Sequence, residues 1–204
     1  MRKGLRTVLE TQPDWKVCGE AINGRQAVKL TKQLEPDVVV LEVLMPELNG
    51  IEATRQILKA LPKAKVLIHT MYESEMLVSE ALAAGAHGYI LKVDTSRLLV
   101  AAVKSLAQHQ PFFTGKVLKV VLNGYLNREK IRTGEASPTQ RLTSRERESV
   151  QLLAEGRTNK EVAVTLGVNV KTVDAHRANL MRKLDLHSVT DLVRYAIRNQ
   201  IIEA

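Results

Sequence analysis

Two groups of residues in this 204-residue chain have the types and spacing to do chemistry. The first is Glu42, Thr70 and Lys92. Each stands where a short apolar run stops: VVVL before Glu42, KVLIHT ending in Thr70, GYIL before Lys92. If those runs are parallel strands, the three residues share the carboxyl edge of one sheet, where sites in such sheets lie. An acid, a hydroxyl and an amine converging there suit a phosphoryl group. The alternative is that three polar residues end three strands only because loops begin there, and the residues alone do not choose. The second group lies in TNKEVAVTLGVNVKTVDAHRANLMRKL, residues 158–184.

That stretch holds two helical patterns around a tight turn. Thr158 with Glu161 three residues on is a capping box, in which hydroxyl and carboxylate each take a free amide of the first turn. Val162, Ala163 and Leu166 recur at helical spacing and face a core. Gly167 supplies the positive φ that ends the helix, and Asn169 caps the next. The second helix carries Val173, His176, Leu180 and Leu184 on one side, with Lys171, Arg177, Arg182 and Lys183 mostly elsewhere. This is a helix-turn-helix, whose second helix can enter the major groove of DNA. Read by chemistry, Thr158, Asn159 and Lys160 at a helix start favour a phosphate. Lys171, Thr172, Arg182 and Lys183 suit backbone contacts, which position without specifying sequence. The bland alternative is a surface helix hairpin with solvated charges.

Composition agrees with an anionic partner. Lys and Arg exceed Asp and Glu by 30 to 22, a formal net charge of +8, so duplex DNA is favoured over acidic-surface partners. Aromatics make up only 3% of the chain, too few to stack many splayed single-stranded bases. Cys18 is the only cysteine, which excludes an internal disulfide and a cysteine-cluster zinc site. It sits in an alternating run and reads as a small buried apolar group. His69, His87, His109 and His187 show no metal-ligand spacing. No apolar run is long enough to span a bilayer, and MRKGLRTVLE lacks a signal-peptide core, so a cytoplasmic protein is expected.

The elements that must position these residues follow in order. Residues 1–11 read as an amphipathic helix and 15–21 as a strand-like run. A helix capped by Asn23 runs to about Leu34. Residues 38–41 are a continuous β-branched run, the mark of a strand buried on both faces. A helix to about Leu61, a strand over 65–70, a helix over 73–84, a strand over 88–91 and a helix over 95–108 complete an α/β pattern with a parallel sheet. A further helix is expected from Thr114, with Val117, Val120, Val121 and Tyr125 on its apolar side. Residues 127–141 read as a polar linker. Thr143 and Glu146 make a second capping box, and Ser188 caps a last helix to Asn199. The domains are thus 1–108, a linker over 109–141 and 142–204.

From Leu142 the chain reads LTSRERESVQLLAEGRTNKEVAVTLGVNVKTVDAHRANLMRKLDLHSVTDLVRYAIRNQ. This closely resembles the LuxR-type DNA-binding domain of NarL/FixJ-family response regulators. PDVVVLEVLMPELNG from Pro36, VLIHT from Val66 and GAHGYILK from Gly85 resemble the receiver domain of the same family. The resemblance implies a flavodoxin-like α/β receiver, here with its first strand missing, followed by an all-α four-helix domain. It places Glu42 at the phosphoacceptor position, Thr70 and Lys92 at the positions that contact the phosphoryl group, and Tyr89 at the aromatic switch position. It puts Asp174, Ala175, Arg177 and Ala178 near base-facing positions. Arg177 then takes guanine in bidentate fashion or contacts a phosphate; Asp174 accepts from cytosine or repels a misplaced phosphate. His176 touches a phosphate or packs within the domain. Leu192, Tyr195, Ala196 and Ile197 are spaced as an apolar side. Core packing accounts for some of them, and the resemblance implies that the outer part pairs two copies. Leu192, Tyr195 and Ala196 are thus the expected dimer contacts, and a homodimer would match two half-sites.

Two departures stand out. Glu42 replaces the family's aspartate, and one extra methylene misplaces an in-line attack; it also puts a permanent negative charge where a phosphoryl group would sit. The first strand and its acidic pair are absent, so no magnesium site, and no other cofactor, is expected. Either the strands flanking that gap close up, or this half is loosened, or the given start is not the natural one. The expected function is a dimeric transcriptional regulator on duplex DNA with an unphosphorylated receiver. Two alternatives remain: a working phosphorelay regulator with an upstream start and a sensor histidine kinase as partner, or an interaction adaptor that has lost DNA. No nucleophile–base pair supports an enzyme.

Overall fold

The computed structural model describes residues 2–94, 96–115, 117–120 and 142–203. Two compact units divide the chain, the first built mainly from the amino-terminal part and the second mainly from the carboxy-terminal part.

The first unit alternates helix and strand: α1 (Arg2–Leu9), α2 (Gly24–Leu34), β1 (Val38–Leu41), α3 (Gly50–Ala60), β2 (Lys65–Thr70), α4 (Glu75–Ala83), β3 (Gly88–Leu91), α5 (Ser96–Ala107) and β4 (Phe112–Phe113). The strands form one all-parallel sheet in the order β1-β2-β3-β4. Val39 pairs with Val66 and Leu41 with Ile68; Ile68 pairs with Tyr89 and Thr70 with Leu91. On one face Leu67 and Ile90 pack with Leu99, Ala102 and Leu106 of α5 and with Leu5, Val8 and Leu9 of α1. Strand side chains alternate in direction, so the fully buried Val66 and Ile68 serve the other face. There α2 lies along α3, and α3 along α4.

Three expectations are corrected. Residues 15–21 form no strand, and Cys18 among them is exposed rather than buried. Alternation alone does not make a strand; a ladder partner is needed. Val38, Val39 and Val40 are only half-buried, because among the described residues β1 pairs on one side alone, with β2. The two-residue β4, which no periodicity announces, is an additional strand. The helix expected from Thr114 is present over 115 and 117–120, with Val117 buried. Val121, Tyr125 and the linker over 127–141 lie outside the described residues.

The second unit contains α6 (Ser144–Ala154), α7 (Asn159–Leu166), α8 (Val170–Lys183) and α9 (Val189–Arg198). Each begins at a side-chain cap. Both capping boxes are formed: the Glu146 amide donates to Thr143 Oγ1 at 3.3 Å and the Glu161 amide to Thr158 Oγ1 at 3.3 Å, with each glutamate accepting from its cap residue's amide. Asn169 caps α8 and Ser188 caps α9. Gly167, at φ 67°, makes the left-handed turn between α7 and α8. Val150, Leu152, Val162, Val173, Leu180, Leu192 and Ala196 are among the residues of one core. Among the described residues no helix is long and apolar enough to cross a membrane.

Two predictions follow from these local constraints. A Cβ on Gly50 would sit 1.9 Å from the Glu42 carbonyl oxygen, with backbone rather than a flexible side chain in its way. Gly50→Ala is therefore expected to destabilise the α/β unit by about 1–3 kcal/mol, the usual cost of overpacking, read by urea titration. The second prediction concerns acid. The Thr158 backbone amide and then its hydroxyl hold Glu161 below the usual carboxylate range, and the Ser188 hydroxyl does the same for Asp191. At Glu146 burial pushes upward, but Lys183 and Thr143 outweigh it and the net direction is down. A carboxyl depressed in the folded state adds stability above its unfolded pKa and loses it as pH falls through the folded value. The helical unit should keep its melting temperature at neutral pH and lose it progressively below about pH 4. Thr143→Ala should cost about 1 kcal/mol at neutral pH and less in acid, followed by far-ultraviolet circular dichroism.

Candidate functional site

The parallel sheet sets out the first candidate site. Glu42 directly follows β1, Thr70 ends β2 and Lys92 directly follows β3, so all three meet at the carboxyl edge. The Lys92 amide donates to the Thr70 carbonyl at 2.7 Å, extending the β2–β3 pairing one residue further. The Lys92 ammonium then reaches across and pairs with the Glu42 carboxylate. The two side chains are 15% and 14% exposed, so the pair is largely withdrawn from water. The second Glu42 oxygen accepts the Val43 amide at 2.9 Å.

Thr70 is brought to the same edge but takes a different partner. Its buried hydroxyl accepts the Tyr72 amide at 3.4 Å. The Tyr72 carbonyl accepts the Tyr89 phenol at 2.7 Å. Tyr89 is wholly inside the sheet's covering layer, and burial first, then the Glu42 charge, pushes its ionisation far above the usual range. Tyr72 was not singled out in the sequence, yet its backbone joins the hydroxyl position to the aromatic one. A backbone contact of this kind leaves no trace in residue type. His69 stands beside Thr70, and burial, then Lys92, lowers its pKa, so it is neutral at physiological pH. Asp94 accepts the Leu91 amide at 2.9 Å and stays with the loop after β3.

The second candidate site is the outer surface of α7 and α8. Val173 and Leu180 are buried, which turns the opposite side of α8 outward. Lys171, Asp174, Ala175, Ala178 and Arg182 are exposed there; His176, although on the Val173 side by spacing, is exposed too, and Thr172 and Arg177 are half-buried. His176 is thus on the surface and not part of the core. Lys160 is exposed in the first turn of α7. The Thr158 hydroxyl is already committed to its cap, donating to Glu161 Oε2 at 2.8 Å. Lys183 is held by the two oxygens of Glu146 at 2.9 and 2.8 Å, so this cation is tied to α6. Arg182 donates to Asn179 Oδ1 at 2.8 Å. Arg177 and Asp174 both reach Asn159 from the adjoining helix.

Of the three residues expected to pair two copies, Leu192 and Ala196 are fully buried in the unit's own core. Helical periodicity marked the apolar side of α9 but could not say that this core covers it. Tyr195 is half-buried, while Val189 and Arg194 are exposed on the same helix.

Comparison with known proteins adds to this geometry. Residues 1–104 match the response regulator receiver domain, and residues 140–196 match the luxR family of bacterial regulatory proteins. The transcriptional regulatory protein LiaR of Bacillus subtilis (strain 168) is 36% identical over 203 residues, 99% of this chain and 94% of that protein. The crystal structure of a LuxR-family two-component response regulator from Aurantimonas sp. SI85-9A1 is similar at TM-score 0.58 and 30% identity, over 61% of this chain and 89% of that one. RcsB from Salmonella enterica serovar Typhimurium, bound to promoter rprA, shares the fold at TM-score 0.59 and 24% identity, over 95% of this chain and 91% of that one. RcsB has also been solved as two dimers bound to two parallel DNAs. The chain belongs to the response regulators of two-component systems, DNA-binding transcriptional regulators, not enzymes, in which a receiver domain is joined to a luxR-family helix-turn-helix domain.

Proposed function

We propose that this regulator binds duplex DNA as a dimer and that its receiver does not take up a phosphoryl group, the acceptor position being closed by an ion pair. The observation that carries the reading is the Glu42–Lys92 ion pair. A receiver that accepts phosphate needs a free carboxylate for attack and a cation for the incoming charge. Here one Glu42 oxygen is engaged by Lys92 and the other by the Val43 amide, so acid and cation neutralise each other. The donor set does not suit magnesium either, which prefers octahedral oxygen coordination with carboxylates and water. Both Glu42 oxygens are already engaged, one by the Lys92 ammonium and one by the Val43 amide. A sensor kinase is accordingly not part of the proposal.

DNA recognition is assigned to α8, with its exposed Lys171 and Arg182 on the phosphate backbone and Asp174, Ala175, Arg177 and Ala178 toward base edges. Thr172, His176 and, from α7, Lys160 border that surface. The dimer is assigned to the outer face of α9, where Val189 and Arg194 are exposed and Tyr195 is partly so, with Leu192 and Ala196 supporting from beneath. RcsB, which shares the fold, is a precedent for dimers on DNA.

Two measurements test this. Incubation of the full chain with acetyl phosphate and magnesium should give no mass gain on Glu42 and no change in DNA affinity; a phosphoryl adduct there would restore the phosphorelay reading. In a mobility-shift titration against duplex fragments, affinity should fall steeply with salt, and Lys171→Ala should weaken binding to every sequence while reducing the log–log salt slope by about 1. Absence of any salt-sensitive shift would leave the helix-turn-helix as a protein-interaction module.

A further inference from the structure

Asn159 sits at the first position of α7, where the sequence suggested a phosphate contact. Its side chain is turned elsewhere. The Asn159 Nδ2 amide donates to Asp174 Oδ1 at 2.6 Å, and its Oδ1 accepts from Arg177 Nη1 at 3.1 Å. Asp174 and Arg177 are three residues apart on α8 and so share one side of that helix. Asn159 lies between them in contact, 15 and 18 residues away in sequence. The orientation of the amide is dictated by charge, since its oxygen must face the guanidinium and its nitrogen the carboxylate. Both bonds involve an ionised partner, and such bonds are shorter and stronger than neutral ones.

This arrangement restrains two long side chains on the groove-facing helix. Arginine has rotamer freedom that a free side chain loses on binding. Here one guanidinium nitrogen is already anchored from α7, and the remaining donors of the planar fork are left to meet a base edge. Asp174 is restrained in the same way, with its carboxylate held to the amide instead of sweeping across the phosphates. We propose that Asn159 is a positioning residue for sequence recognition: it locks Asp174 and Arg177 to one another, so that α7 fixes how α8 reads base pairs. This inference rests on the duplex-DNA reading above and adds a specificity determinant to it.

The distinguishing property is where the loss falls. A phosphate contact would weaken all duplexes alike, whereas a positioning residue changes discrimination between them. The test uses the full chain and begins with selection of preferred duplexes from a randomised library. Affinities are then measured for the selected duplex and each of its single base-pair variants, for the wild type, Asn159→Ala, Asn159→Ser, Arg177→Ala and the Asn159→Ala/Arg177→Ala double variant. Arg177→Ala is expected to lose about 5- to 150-fold discrimination at one base pair, the range for a good bidentate contact. Both Asn159 variants should lose most of that discrimination at the same base pair. They should leave affinity for random duplex within about two-fold and the salt slope unchanged, since no cation is removed. The double variant should discriminate no worse than Arg177→Ala alone, the signature of residues that act as a unit. Equal weakening on every duplex, or full discrimination retained by both Asn159 variants, would overturn the proposal. A wild type that enriches no duplex would instead remove the DNA reading itself, and this inference with it.

Discussion

The receiver unit depends on one constraint above others: a carboxylate and an ammonium share a nearly dry corner of the sheet. Glu42 and Lys92 are 14% and 15% exposed, and neither charge would be tolerated alone at that depth. Removing one partner of a buried pair typically costs about 3–5 kcal/mol, because the other is left uncompensated. That is a large part of the 5–15 kcal/mol by which whole domains are stable. The pair therefore does more than sit at the site. It fixes the loop after β1 against the loop after β3, and the rest of the edge is arranged around it. Gly50 allows the start of α3 to approach the Glu42 carbonyl from one side, while the Gly50 amide donates to the Val43 carbonyl at 2.7 Å.

Next to that pair runs a chain of contacts through Tyr72, whose amide serves Thr70 and whose carbonyl serves Tyr89. The phenol is deep in the fold and cannot ionise at physiological pH, so its hydrogen must be donated, and the Tyr72 carbonyl takes it. A buried hydroxyl left without an acceptor would cost about 1–3 kcal/mol. The ring, the loop backbone and the threonine therefore move together or not at all. An ion pair on one side and this hydrogen-bonded loop on the other give the edge a single, well-held arrangement.

How much of this could be read from the sequence depends on the range of each interaction. The caps at Asn23, Thr143, Thr158, Asn169 and Ser188 were legible because each is a contact between residues two or three apart. The left-handed Gly167 turn was legible for the same reason, as were the strands that carry Glu42, Thr70 and Lys92. What failed depended on partners far along the chain. The run over 15–21 alternates correctly yet finds no ladder partner, and Phe112–Phe113 has no period at all but pairs with β3. The spacing of Leu192 and Ala196 marks an apolar side without dividing it between core packing and a second copy, and the helical unit's own core takes both up. Lys183 looked like a free cation because Glu146 lies 37 residues away.

That last case changes how the chain's positive charge should be understood. A net charge of +8 suggests a broad attraction to DNA, but the cations are not equivalent. Lys92 is neutralised at the receiver edge, Lys183 is bound to α6, and Arg177 is half-buried against Asn159. Lys160, Lys171 and Arg182 are exposed on the helix-turn-helix, where a phosphate can displace water and small ions. Among the described residues of α7 and α8, sequence-independent attraction is thus left to the outward cations, and the paired or clamped ones hold shape. A regulator needs this separation. Loosely held charge brings it to any duplex, whereas discrimination requires side chains whose positions are settled before the bases arrive.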